Sequence, residues 1–145
     1  MFFLKELPTQ AMITRYSDEF CPDQSQQIAQ RLEGLREYSS LIRKLDDYFA
    51  SHGLSQLRFL ILMAIDRELD REWLYASELV SRLDVSKPVL SRAVKKLVED
   101  ALLCAKKDKE DGRAVTLALT KKSEALLKSI LSGYFDILTT SPNLE

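Results

Sequence analysis

The sequence predicts a mainly α fold with one small β-hairpin towards its C-terminal side. Apolar residues recur at three- and four-residue steps along most of the chain. Over residues 114–120 that spacing gives way to alternation, with Val115, Leu117 and Leu119 set against Ala114, Thr116 and Ala118. The charge is uneven as well: Ser86 to Arg113 carries eight basic and five acidic side chains, whereas residues 1–85 carry ten and fourteen. A net charge of −1 therefore hides a basic segment.

At 145 residues and 46% apolar content, the chain can build one domain with a real core, or a compact domain with dimerisation arms. No apolar run approaches the roughly 20 residues that span a bilayer, and the apolar part of MFFLKELPTQ is too short for a secretory signal. A cytoplasmic protein with no membrane contact is expected. Two cysteines and one histidine leave little material for a zinc site. There is no phosphate-cradling Gly-rich loop and no nucleophile elbow, so the sequence reads as a binding protein without cofactor or metal rather than an enzyme.

Taken in order, the elements justify the fold class. From Asp23 to His52, Ile28, Leu32, Leu35, Tyr38, Ile42, Leu45 and Phe49 form one stripe, widened by Leu41 and Tyr48, on a long helix with Gly53 as its C-terminal cap. A helix with so broad an apolar face needs more than one neighbour and can touch both its own domain and a second subunit. Ser55 is placed to cap the next helix, QLRFLILMAI, which is apolar on most sides and hence central. The charged DRELDREW marks its exit, and ASELVSRL reads as a short helix with Leu79 and Leu83 inward. After the tight connection DVS, Ser86 can cap a helix reaching Asp100, with Pro88 in its first turn. Its buried face is expected to be Val89 or Leu90, Ala93, Val94, Leu97 and Val98. LLCAKK and AVTLALT read as strands around DKEDGR, whose Asp-Gly makes the hairpin turn. Thr120 caps a last helix with the stripe Leu127, Ile130, Leu131, Tyr134 and Leu138.

Two short helices joined by a tight turn, the second basic on its outer face and followed at once by a basic hairpin, make a winged helix-turn-helix. The organisation expected is an N-terminal arm and long dimerisation helix over 1–53, the winged helix-turn-helix over 54–120, and a C-terminal dimerisation helix and tail over 121–145.

LSQLRFLIL, ASELVSRLDVSKPVLSRAVKKLVEDALL and DKEDGRAVTLALT together resemble the MarR (multiple antibiotic resistance regulator) family of dimeric winged-helix transcription factors. KPVLSRAVKKL is also similar to the staphylococcal accessory regulator branch. Tyr75 stands where the family usually has a capping Thr, Ala105 replaces a common wing-strand Arg, and one C-terminal helix fits where the family often has two. The resemblance implies a homodimeric regulator of a pseudo-palindromic double-stranded DNA operator, a repressor relieved by a small-molecule effector or another signal.

The DNA-binding residues expected are Ser86, Lys87, Ser91, Arg92, Lys95 and Lys96 on the second helix, and Lys106, Lys107, Lys109, Asp111 and Arg113 on the wing. Arg92 is the base reader, because a guanidinium spans the O6 and N7 acceptors of guanine. Ser86, Lys87 and Ser91 hold phosphates near the helix N-terminus, Lys95 and Lys96 hold them further along, and Lys106, Lys107 and Lys109 contact flanking phosphates. By resemblance, Asp111 orients the Arg113 guanidinium into a minor groove. A winged helix used for protein contact, as an antirepressor or assembly subunit, is the alternative. A thiol redox switch at Cys21 or Cys104 is an alternative mode of regulation. The aromatic residues Tyr38, Tyr48, Phe49, Phe59, Trp73 and Tyr75 read as core rather than as the lining of an effector pocket.

Overall fold

The computed structural model describes residues 2–140. In chain order the elements are α1 (Gln10–Phe20), α2 (Ser25–Ser51), α3 (Gln56–Asp66), β1 (Trp73–Tyr75), α4 (Ala76–Arg82), α5 (Lys87–Glu99), β2 (Leu103–Lys107), β3 (Val115–Leu119) and α6 (Lys121–Thr139). They form two compact units, one from the described residues of 1–45 and 137–145 and one from Asp46–Asp136. The end of the expected C-terminal tail, 141–145, lies outside the described residues.

In the first unit, α1 was not expected from the sequence. Thr9 starts it by accepting the Met12 N–H at 3.3 Å. Its inward face carries only Ile13 and Ser17, while Met12, Tyr16 and Phe20 are exposed. A helix that buries so little of its apolar side leaves no clean period to read. The Ser17 hydroxyl donates to the Cys21 carbonyl at 2.8 Å and accepts the Gln24 N–H at 3.2 Å, closing the turn into α2. Asp23 has φ 65° and so stands outside the helix expected to begin with it. Of the stripe predicted on α2, Leu45 and Phe49 are buried, but Leu35, Tyr38 and Ile42 are 52%, 68% and 48% exposed. The period is real, yet a single chain does not cover it.

In the second unit, Gly53 ends α2 as expected. It takes φ 74°, which lets the Leu54 N–H reach the Phe49 carbonyl at 2.9 Å and its own N–H reach Ala50 at 3.0 Å. Ser55 caps α3 by accepting the Arg58 N–H at 3.2 Å. Helix α3 is enclosed: Phe59, Ile61, Leu62, Ala64 and Ile65 are buried. Phe59 lies 4.4 Å from the Phe49 ring and 4.8 Å from that of Tyr134, ring centroid to centroid. On α6, Leu127 and Ile130 are buried, whereas Leu138, which belongs to the first unit, is 41% exposed rather than part of the buried stripe. Thr120 and Ser123 cap α6 reciprocally, each hydroxyl accepting the other's backbone N–H at 3.2 and 2.9 Å.

The sheet has three antiparallel strands in the order β1-β3-β2, not the two-stranded hairpin expected. Strand β1 pairs Trp73 with Ala118, Leu74 with Leu117 and Tyr75 with Thr116. Leu74 and Leu117, directly opposite, are both buried. Three residues are too short a run to show alternation beside the charged segment before them. Strand β2 pairs Leu103 with Leu119 through to Lys107 with Val115, as the hairpin reading required.

Helix α5 ends in the same hydrogen-bond pattern as α2, with Leu102 N–H to Leu97 O at 2.8 Å and Ala101 N–H to Val98 O at 3.1 Å, but the residue at φ 58° is Ala101 rather than glycine. A side chain in the left-handed region costs on the order of 1 kcal/mol. Ala101→Gly is therefore expected to raise stability by up to about 1 kcal/mol in urea unfolding, the extra freedom of glycine in the unfolded chain offsetting part of the gain. Gly133 sits against Tyr48, whose hydroxyl donates to the Ile130 carbonyl at 2.8 Å. A Cβ at Gly133 would lie 2.7 Å from Tyr48 Cζ. Gly133→Ala is expected to lower stability by roughly 1–3 kcal/mol in the same assay.

Candidate nucleic-acid interface

Helix α4, a tight turn and α5 are followed by the β2–β3 hairpin, all within the second unit. Pro88 lies in the first turn of α5, where its missing N–H leaves no helical bond unmade. Ser86 occupies the N-cap position but makes no side-chain capping hydrogen bond, contrary to expectation. Leu90 and Leu97 are buried, and the helix packs on α3, α4 and β2. Of the alternatives Val89 and Leu90 it is Leu90 that points inward, Val89 being 38% exposed, while Val98, expected inward, is 39% exposed. The face α5 buries is therefore narrower than its apolar content suggested.

The remaining faces carry the basic residues. Lys87, Ser91 and Lys95 line a groove of about 720 Å³ together with Arg113 and Val115 of the hairpin and the apolar Val80, Val94 and Val98. Arg92 is exposed, and Lys96 follows it one helical turn later. The Lys96 ammonium is drawn back to Asp100 at 3.0 Å, and Asp100 also faces Arg58 at 3.7 Å. Among the described residues, Lys96 is the one basic side chain of the Ser86 to Arg113 segment with a carboxylate within ion-pair distance. Lys106, Lys107, Lys109 and Arg113 are exposed on the hairpin.

The turn is built by aspartates. Asp111 accepts the Arg113 backbone N–H at 3.0 Å, and the Asp111 carbonyl accepts the Ala114 N–H at 3.0 Å. The Asp111 carboxylate thus holds the backbone of the tip, not the Arg113 guanidinium as expected from the sequence. Gly112 is not in the left-handed region, so the Asp-Gly pair does not form the expected type of hairpin turn. Asp108 accepts the Glu110 N–H at 3.1 Å and donates its own N–H to the Ala114 carbonyl at 2.9 Å.

Tyr75, read from the sequence as a departure at a capping position and as a core aromatic, is half-buried and has two partners here. Its N–H donates to Glu78 Oε2 at 2.8 Å, and its phenol turns away from the helix to donate to Asp108 Oδ2. The bond to Asp108 raises the Tyr75 pKa above its ordinary value, and the same bond, helped by the Glu110 N–H, lowers that of Asp108. Glu78 is held low by Arg71, whose guanidinium also lies 4.9 Å from the Trp73 ring centroid. No local pattern signals these contacts, since Tyr75 and Asp108 are 33 residues apart. Cys21 and Cys104 are free, half-buried thiols.

Residues 52–114 match the sequence pattern of the MarR family. The chain is 27% identical over 132 residues to the HTH-type transcriptional repressor YetL of Bacillus subtilis, a match covering 91% of this chain and 78% of that protein. Its fold is similar to that of AbsC, a MarR family transcriptional regulator of Streptomyces coelicolor, at a TM-score of 0.73 and 18% identity over 85% of each chain. It is also similar to Sco3205, a MarR family regulator of the same organism solved in complex with DNA, at a TM-score of 0.70 and 20% identity over 80% of this chain and 76% of that one.

The Tyr75–Asp108 bond has a definite pH signature. Because the Tyr75 pKa is raised, its contribution to stability is full below about pH 10 and is lost as the pH rises through the shifted value. Because that of Asp108 is lowered, its contribution is full above about pH 4 and is lost as the pH falls through the shifted value. The stability difference between the wild type and Tyr75→Phe is expected to be constant from about pH 5 to 9 and to shrink towards both extremes. Denaturant unfolding of the two proteins across that range checks it.

Proposed function

We propose that the chain is a transcriptional regulator of the MarR family, a homodimer that binds a pseudo-palindromic duplex operator sequence-specifically; the match of residues 52–114 to that family's pattern supports the reading. One observation carries this reading: an exposed basic surface formed by α5 and the hairpin together. Lys87, Lys95 and Arg113 line one groove, Arg92 is exposed on the same helix as the two lysines, and among the described residues these side chains have no carboxylate within ion-pair distance. In a chain with more acidic than basic residues, cations left unpaired on one face are available to phosphates. Each subunit places α5 in a major groove and the Lys106 to Arg113 hairpin beside a minor groove, with Arg92 on base edges and the lysines on the backbone.

The homodimer is supported by the α2 stripe, Leu35, Tyr38 and Ile42, left open on a single chain together with Met12, Tyr16 and Phe20 of α1. Two symmetric copies turn a small reading surface into a specific one. Repression relieved by a small-molecule effector is the proposed mode of action, its repressor half supported by the name of YetL; the DNA complex of Sco3205 supports the nucleic-acid partner.

Selection of bound duplexes from a random pool is expected to return an inverted repeat, and log affinity for it should fall linearly with log salt. A winged helix used only for protein contact would show neither. Lys95→Ala should lower the salt slope by about one unit for each phosphate that Lys95 neutralises, whereas Lys96→Ala should change it less, because Asp100 already engages that ammonium. Arg92→Ala should cost roughly 1–3 kcal/mol for each base it reads and relax selection at one position in each half-site. Sedimentation at micromolar concentration should give a dimer, and a monomer there would overturn the two-fold arrangement.

A further inference from the structure

We propose that Tyr75 is a positioning residue for DNA binding: its phenol, bonded to Asp108 at the base of the hairpin loop, holds Arg113 in place beside α5. The inference rests on the reading that the hairpin touches DNA.

The three-stranded part of the sheet stops at Tyr75, which pairs with Thr116 as the last residue of β1. Beyond that point β2 and β3 continue without a third strand for one more pair, Lys107 with Val115, and then into the loop. A ribbon of two strands with no third neighbour is only marginally stable in water. The Tyr75 side chain continues the support where the strand ends, by reaching Asp108.

Both ends of that strut are fixed. On one side the Tyr75 N–H is held by Glu78, Glu78 is held by Arg71, and the Trp73 ring meets the Tyr75 ring edge-on at 4.9 Å. On the other, Asp108 closes the loop, with one carboxylate oxygen on the Glu110 N–H and its own N–H on the carbonyl of Ala114, the residue next to Arg113. A displacement of Asp108 therefore passes through Ala114 to Arg113. A guanidinium that must enter a narrow groove loses affinity when its backbone wanders.

The test is a double-mutant cycle on the selected operator at fixed salt, with wild type, Tyr75→Phe, Arg113→Ala and the double variant. Tyr75→Phe removes one oxygen, keeps the ring against Trp73 and changes no charge at neutral pH. It is expected to weaken binding roughly three- to tenfold in the wild type and less than about twofold when Arg113 is already absent. A purely structural role would weaken both backgrounds alike, and that result, or unchanged binding by Tyr75→Phe, overturns the proposal while leaving DNA binding intact. If Arg113→Ala binds as the wild type does, or the wild type shows no salt-dependent duplex binding, the reading beneath the proposal fails instead, and the proposal with it. Asp108→Asn probes the strut from the hairpin side should Tyr75→Phe not fold. It makes the protein more positive, so electrostatics alone would tighten binding, whereas loss of the strut weakens it.

Discussion

Helix α3 has almost no polar side, and the second unit is arranged around the need to keep it from water. Phe59, Ile61, Leu62 and Ile65 are at most 2% exposed. At about 1.5–3 kcal/mol for each such side chain, their burial is on the order of 10 kcal/mol, comparable with the whole net stability of a typical domain. Covering the helix takes several elements at once: the end of α2 through Phe49 and α6 through Tyr134 meet Phe59, and α5 and β3 pack on the same helix. The α5–hairpin surface is the outside of this enclosure. Its lysines are available to a ligand because none of them is needed to hold the core.

The same enclosure explains the two helix ends it abuts. Both α2 and α5 must stop and turn back sharply for Leu54 and Leu102 to be buried, and both do so through a residue in the left-handed region, Gly53 and Ala101. One site uses glycine and the other carries a backbone strain that packing of Leu97 and Leu102 offsets. The hairpin that follows Ala101 is then directed by β1, which anchors β3, and by the phenol of Tyr75. A basic surface assembled from two elements can only be specific if the elements keep their spacing, and here a side chain 33 residues away in sequence helps to fix it.

Much of this is legible in the sequence. The 3.6-residue period of α2, α3, α5 and α6, the caps Gly53, Ser55 and Thr120, and the strand at Val115–Leu119 all have local physical causes and all appear where expected, although of the alternating set on β3 only Leu117 is fully buried. The departures share a cause too. Helix α1 and strand β1 escape a reading of spacing because each buries only one or two side chains, which leaves no period. The Asp-Gly pair suggests one kind of turn at Asp108–Ala114, but aspartate-to-backbone bonds set its shape, and Asp111 grips the Arg113 N–H rather than its guanidinium. In sequence Lys96 is equivalent to Lys95, and only the structure turns it to Asp100.

The sequence by itself determined the mainly α winged-helix class, the order of nearly all its elements and the segment that carries the basic charge, because these follow from apolar spacing and charge within a turn or two of chain. The tertiary structure alone decided which of those charges stay unpaired, how the tip of the hairpin is held, and that Tyr75 reaches Asp108. Each of these depends on hydrogen bonds and ion pairs whose geometry the fold creates, some between residues distant in sequence and some between near neighbours competing for one partner. Such bonds need their atoms within about 3–4 Å of one another; local spacing shows which near neighbours can pair, but not which of them do, and it says nothing of pairs as distant as Tyr75 and Asp108.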